Sequence, residues 1–264
     1  MCGIIAYVGD RPVPEVLFQG LCRLEYRGYD SAGIVVNDDN KLFMVKRKGN
    51  LESLRPFLKR FSPVGGSGIG HTRWATHGRP SKENAHPHLD CKRRIAAVHN
   101  GIIENFHELR EELQKAGHHF RSQTDSEIIS HLVEEDYRGD LLEAVRSALK
   151  RVEGAYAVAV MSADEPDVLV GARKDSPLVL GLGESENFLA SATPAFLDAT
   201  RKAISLENGE LVSITKEGWK IIDSQGRLVE HSPYELSYDV SAVEKGGYAD
   251  FMLKEIYEQP RAWT

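Results

Sequence analysis

The spacing of apolar positions alternates along this chain between a period near two and a period near 3.6. Gly3 to Val8 is a β-rich run that stops at Gly9-Asp10, so it reads as a strand. Behind Pro12 and Pro14, residues Val13, Val16, Leu17, Leu21 and Leu24 recur at three- and four-residue steps, which predicts a helix. SAGIVVN and KLFMVKR flank the turn-rich Asn37-Asp38-Asp39-Asn40 and read as a hairpin. LESLRPFLKRF reads as a short helix broken near Pro56, GHTRWATHG and RRIAAVHNG as β, and the stretch between them, where His86 and His88 flank a proline, as a loop. Helical spacing returns over 104–116, 125–137 and 141–152, with Asp125 at the expected capping position of the second helix. Beyond Gly154 come short strands, AYAVAVMS, DVLVGAR, PLVLGL, ENFLAS, ELVSIT and WKIID, separated by Gly, Pro, Asp and Asn. The segment 248–258 is helix-patterned and closes on Pro260, as a connector would. Helices gathered between two sets of strands predict an α+β fold with helices on largely antiparallel sheets.

Composition narrows the partners. The 264 residues carry 33 basic against 39 acidic side chains, a net charge of -6, and no basic stripe, so nucleic acid is not an expected partner. The apolar run after Met1 has no preceding Lys or Arg and no small-residue cleavage site, unlike a secretory signal. The longest apolar stretches, such as Ala155 to Met161, are strand-sized, so no membrane span is expected. Three scattered cysteines, Cys2, Cys22 and Cys91, make no disulfide framework and fit a reducing cytoplasmic compartment.

Cys2 is the residue most in need of a reason. An initiator methionine is removed when the next residue is small, which would leave Cys2 with a thiol and a free α-amine. Their reference pKa values, about 8.5 and about 7.7–8.0, allow the amine to act as base for its own nucleophile. The plain alternative is a small hydrophobe at the start of a buried strand. The Asn100-Gly101 pair at a strand end offers a side-chain NH2 and a backbone N–H to an oxyanion, or is simply a good turn. In HTRWATHG, Arg73 can hold a carboxylate bidentately, with hydrogen bonds from Thr76 and His77 and Trp74 over an apolar substrate stem. Equally, this stretch can be a solvent-facing strand with Trp74 in the core. His71, His77, His86, His88 and Cys91 cluster in sequence but lack the tight pairing of zinc ligands, so no metal and no cofactor is expected.

Taken in order, MCGIIAYVG, LEYRGYDSAGI, GHTRWATHG, HNGIIEN and TDSE resemble the N-terminal-nucleophile, type 2 glutamine amidotransferases. RGYDSAG and the closing EKGGY and FMLKEIYEQP resemble in particular the glutaminase half of the glutamine-fructose-6-phosphate aminotransferases, over essentially the whole chain. The resemblance implies a four-layer αββα sandwich of two antiparallel sheets. It implies that Cys2 attacks the side-chain amide of L-glutamine through a γ-glutamyl thioester, with Asn100 and Gly101 as the oxyanion hole. Arg73, Thr76 and His77 would then bind the α-carboxylate and Asp125 the α-ammonium. Trp74 would close over the substrate, and Arg27 would brace the nucleophile. It further implies an amidotransferase body over 2–222 and a connector over 223–264 toward a sugar-isomerase domain, where released ammonia makes glucosamine 6-phosphate from fructose 6-phosphate. The chain is expected to be a piece that lacks that site and performs glutamine hydrolysis alone.

Overall fold

The computed structural model describes residues 2–58, 65–237, 247–248 and 251–262. Strand β1 (Gly3–Gly9) and helix α1 (Val13–Leu24) open the chain, followed by the hairpin of β2 (Ser31–Asp38) and β3 (Lys41–Lys48), a short α2 (Arg55–Leu58) and β4 (Ser67–Arg73). Next come β5 (His88–Leu89), β6 (Ile95–Ile103) and the helices α3 (Phe106–Lys115), α4 (Glu127–Asp136) and α5 (Leu141–Leu149). Then follow β7 (Gly154–Ser162), β8 (Leu169–Lys174), β9 (Val179–Leu182), β10 (Glu186–Ala190), β11 (Lys202–Ser205), β12 (Leu211–Ile214), β13 (Trp219–Ile222), β14 (Tyr234–Glu235) and helix α6 (Phe251–Ala262).

The strands form an eight-stranded sheet, β14-β11-β9-β10-β1-β4-β2-β3, and a six-stranded sheet, β13-β12-β8-β7-β6-β5, with every paired strand antiparallel to its neighbour. Alternation along β1 and β6 explains how the layers stack. Ile4, Ala6 and Val8 share one core with Ala96, Val98, Ala157 and Ala159, so this core lies between the sheets. Ile5 and Tyr7 point the other way and pack with Leu17, Phe18 and Leu21 of α1. On the far side, Ile95, Ala97 and Ile103 of β6 pack with Leu113, Ile128, Leu132 and Val145 from α3, α4 and α5. The order is therefore helix, sheet, sheet, helices, an α+β sandwich. A strand buried on both faces reads as a continuous apolar run, which is what MCGIIAYVG showed. Each fully buried Leu or Ile contributes about 1.5–3 kcal/mol.

Local differences from the sequence reading have local causes. The hairpin turns at Asp39 and Asn40 with φ 50 and 55, the left-handed pair that a two-residue turn requires. His88-Leu89 is not loop but a short edge strand paired to Ala97 and Ala96, too short to show a period. Asp125 does not cap α4: its carboxylate accepts from the Ile103 amide at 2.9 Å, and Ser126 holds the N-cap position without a side-chain cap. Helix α6 runs past Pro260 into its last turn. Two further strands escape the sequence pattern, β11 and the two-residue β14, which extends the larger sheet with Leu236 buried beside it. Parts of the LESLRPFLKRF and closing EKGGY segments lie outside the described residues. No helix among the described residues is long and apolar enough to cross a membrane.

Candidate active site

Cys2 immediately precedes β1, which lies in the interior of the larger sheet between β10 and β4. Its carbonyl accepts from Arg27 Nε at 3.0 Å and from Asn100 Nδ2 at 2.9 Å, so one peptide oxygen is held by both sheets' surroundings. Its sulfur accepts from the Trp74 amide at 3.2 Å. Burial pushes the Cys2 thiol up from its ordinary pKa, and the Trp74 amide and the Arg73 charge pull it part of the way back. A partly buried thiol of this kind needs a base before it is a strong nucleophile.

A cleft of 330 Å³ opens over Cys2, within the size range of small-molecule sites. Arg27, Arg73, Trp74, Thr76, Asn100, Gly101 and Asp125 line it together with Cys2. His77 does not: its ring packs edge-on against Phe106 at 5.4 Å, and its carbonyl accepts from the Arg73 guanidinium. Trp74 is 49% exposed and meets Tyr29 edge-on at 5.7 Å, so it belongs to the mouth of the cleft and not to the core.

Arg73 ends β4 and is buried. Its Nη2 donates to the carbonyls of His77 and Gly78, while its Nη1 is buried with no hydrogen-bond partner. An unpaired buried guanidinium N–H is costly, and an anionic ligand would satisfy it. Asp30 fixes the chain on either side: its amide donates to the Arg73 carbonyl at 3.1 Å, and its carboxylate accepts from the Ala75 amide. Gly28 is the reason this approach is possible, since a Cβ there would lie 2.6 Å from the Arg73 carbonyl carbon and 2.7 Å from the Trp74 nitrogen. Gly101 is constrained likewise, at φ 134 with a Cβ position 2.0 Å from the Ala155 oxygen. Asp125 is buried, and its second oxygen accepts from Ser126 Oγ at 3.4 Å.

Beneath the cleft lie groups that the sequence reading did not place. Asn100 Oδ1 meets His71 Nε2 at 2.9 Å. An amide oxygen only accepts, so this bond puts the proton on Nε2 and turns the Asn100 NH2 toward Cys2. Burial brings the His71 pKa down to about 3, which keeps the ring neutral. The His86 ring lies between those of His71 and His88, tilted against the first at 4.1 Å and edge-on to the second at 4.6 Å, and burial holds its pKa well below its ordinary value. His99 lines the cleft, with Nδ1 at 2.9 Å from Ser126 Oγ. Asp175, Ser176 and Pro177 reach the cleft from the turn after β8. The only local signal for these was polar residues inside β-patterned runs, as in GYDSAG and AAVHNG. Of the metal set considered from sequence, His71, His86 and His88 come together ring against ring, whereas His77 sits at Phe106 and Cys91 lies beside His118 and His131 instead.

The glutamine amidotransferase domain family matches residues 71–198. The glutamine-fructose-6-phosphate aminotransferase (isomerizing) of Clostridium perfringens is 53% identical over 262 residues, covering 99% of this chain and 43% of the relative. That of Thermus thermophilus is 55% identical over 260 residues, covering 98% and 43%. The chain thus spans less than half the length of these relatives. Among solved structures, the glutamine phosphoribosylpyrophosphate amidotransferase of B. subtilis superposes with a TM-score of 0.74 at 28% identity, over 86% of this chain and 50% of the other. Sequence, cleft and fold agree, and the chain belongs to the glutamine amidotransferases.

Proposed function

We propose that this domain hydrolyses L-glutamine to glutamate and ammonia through a γ-glutamyl thioester on Cys2. The observation that carries the reading is the pairing, across one cleft, of a clamped Cys2 with the orphaned Nη1 of Arg73 and the carboxylate of Asp125. Arg73 receives the α-carboxylate, with Thr76 beside it, and Asp125 the α-ammonium, which directs the side-chain amide toward Cys2. Once Met1 is removed, the α-amine takes the thiol proton and the sulfur attacks the amide carbon. The oxyanion falls to the second N–H of Asn100 Nδ2, the first being held by the Cys2 carbonyl, and to the Gly101 amide. The amine returns its proton to the leaving nitrogen, ammonia departs, and a thioester remains. Water then attacks the thioester carbon, giving its proton to the amine, and glutamate and the thiol are regenerated. Trp74, exposed at the mouth, closes over the bound substrate.

In the whole protein we infer that the ammonia is used by a sugar-isomerase domain to convert fructose 6-phosphate to glucosamine 6-phosphate, a step of hexosamine synthesis in the cytoplasm. The activity for which these relatives are named and the 43% coverage support this reading. The connector toward that domain, proposed to begin near residue 223, starts along the amidotransferase body, because Tyr234 and Glu235 pair with β11. The test is direct. Intact mass should show Met1 absent, a glutamine-analogue electrophile should add once, at Cys2, and Cys2→Ala should release no ammonia; ammonia release that survives Cys2→Ala overturns the reading.

A further inference from the structure

Away from the cleft, the turn after β5, the loop after α3 and the middle of α4 bring four donor residues to one point: Cys91, His118, His131 and Glu134. Their ligand atoms all lie within 4.8 Å of one another. Cys91 Sγ is 3.7 Å from Nδ1 of both His118 and His131. Glu134 Oε2 is 3.1 Å from Nδ1 of His118 and 3.5 Å from Nδ1 of His131. A tetrahedral zinc, with bonds of about 2.3 Å to sulfur and about 2.0–2.1 Å to nitrogen and oxygen, sets S···N edges of about 3.6 Å and N···O edges of about 3.3 Å. The four separations match four of the six edges of such a tetrahedron, and the other two, Cys91 Sγ to Glu134 Oε2 and Nδ1 to Nδ1, lie within 4.8 Å, close enough for one ion to draw the four donors in.

The surroundings point the same way. The far nitrogen of each imidazole faces a carboxylate: His118 Nε2 lies 3.5 Å from Glu135, and His131 Nε2 lies 3.8 Å from Glu127. Both separations are longer than a hydrogen bond and His131 Nε2 has no hydrogen-bond partner, yet a carboxylate on that side favours the proton on Nε2 and leaves the Nδ1 lone pair for the cluster, as the outer carboxylates of metal-binding histidines do at closer range. Two Nδ1 lone pairs, a carboxylate oxygen and a sulfur then converge on one point, and a cation between them removes their mutual repulsion. The side chains of His131, Glu134 and His118 are 1%, 8% and 12% exposed, so water screens little of it.

We propose that Cys91, His118, His131 and Glu134 bind one divalent transition-metal ion, zinc being the best match to one thiolate, two imidazoles and one carboxylate. Four protein ligands leave no open position, which makes the site structural. It would tie the β5–β6 turn and the α3–α4 loop to the helix whose approach carries Asp125 and Ser126 into the cleft. This site is independent of the glutaminase reading.

The test is metal binding by the chain stripped with a chelator and reloaded with zinc or cobalt(II). One ion per chain is expected, a raised thermal midpoint, and for cobalt the intense visible bands of a tetrahedral site with a thiolate charge-transfer band. That band should persist in Cys2→Ala and Cys22→Ser and vanish in Cys91→Ser. Glu127→Gln and Glu135→Gln, which leave the four ligands in place, should weaken zinc about 10–100-fold. Sub-stoichiometric zinc at micromolar concentrations, an octahedral cobalt spectrum, or a thiolate band that survives Cys91→Ser overturns the proposal.

Discussion

Two histidine clusters lie on either side of the start of α4, and they differ in what surrounds the rings. Under the cleft, the ring nitrogens that have a partner meet neutral groups: His71 the Asn100 amide, His88 the Thr124 hydroxyl and His99 the Ser126 hydroxyl, while neither nitrogen of His86 has a hydrogen-bond partner. In the second cluster, His118 and His131 each have a carboxylate near both ring nitrogens. Where burial outweighs the pull of a nearby charge, as it does over Glu127 at His88 and Asp125 at His99, the imidazole stays neutral and becomes a fixed hydrogen-bonding strut. Burial among carboxylates and a thiol makes a nest for a cation. The same residue type serves two purposes, and its neighbours decide which.

The largest consequence of this contrast is in acid. The folded-state pKa of His71 is brought down to about 3, against about 6.5 when unfolded, so between these values the unfolded chain binds the extra proton. Stability is then fully present above pH ~6.5 and is lost as pH falls toward ~3, by up to about 5 kcal/mol for this ring. His86, His88 and His99 are shifted the same way by burial and steepen the fall. Urea midpoints measured across this range should drop continuously with acid. His71→Gln keeps a donor for Asn100 but cannot titrate there, and its profile should be visibly shallower; an unchanged slope would remove His71 from the set.

Next in size is the strut's load. Asn100→Ala removes both the proposed oxyanion donor and the clamp on Cys2, so kcat for ammonia release should fall about 10²–10³-fold, or about 3–4 kcal/mol. Zinc stoichiometry at the second cluster should not change. A loss confined to KM would show that Asn100 only binds ground-state substrate.

The residues of the first cluster were partly legible, because β4 and β6 each carry their site residues consecutively and a β pattern shows which runs contain them. MCGIIAYVG could be read as a buried strand and HTRWATHG as a polar strand end from composition alone. That Asp125 serves the Ile103 amide and not its own helix could not be read, since the bond joins positions 22 apart in sequence. Asp30 was hidden for the same reason: its work is done on Arg73 and Ala75. The second cluster was invisible because its donors come from three elements. Only His131 and Glu134 show a spacing, i and i+3 on α4, that any helix surface would show. Cys91 is close in sequence to His86 and His88, which face elsewhere.

A smaller effect separates positioning from chemistry within the first cluster. His71→Leu removes one buried hydrogen bond and lets the Asn100 amide turn, which should lower kcat about tenfold at an unchanged KM, the value of about 1–1.5 kcal/mol expected for such a bond. His71→Gln should restore most of it, because the restored donor holds Asn100 Oδ1. A tenfold loss in both variants would mean that the imidazole does more than hold the amide.

The smallest effect falls at the rim of the second cluster. Lys92 is 77% exposed at its side chain, and its Nζ lies 3.7 Å from Glu134 Oε1, the oxygen not shared with the histidines. An exposed ion pair of this sort is worth at most about 1 kcal/mol, and salt weakens it. Lys92 competes with a bound cation for the negative charge of Glu134, so Lys92→Ala should tighten zinc by about two- to fivefold at low salt, with the difference shrinking as ionic strength rises. The same substitution should leave ammonia release unchanged, since Lys92 neither lines the cleft nor touches a residue that does. Zinc affinity weakened by Lys92→Ala would mean that the ammonium supports the cluster in place of an ion.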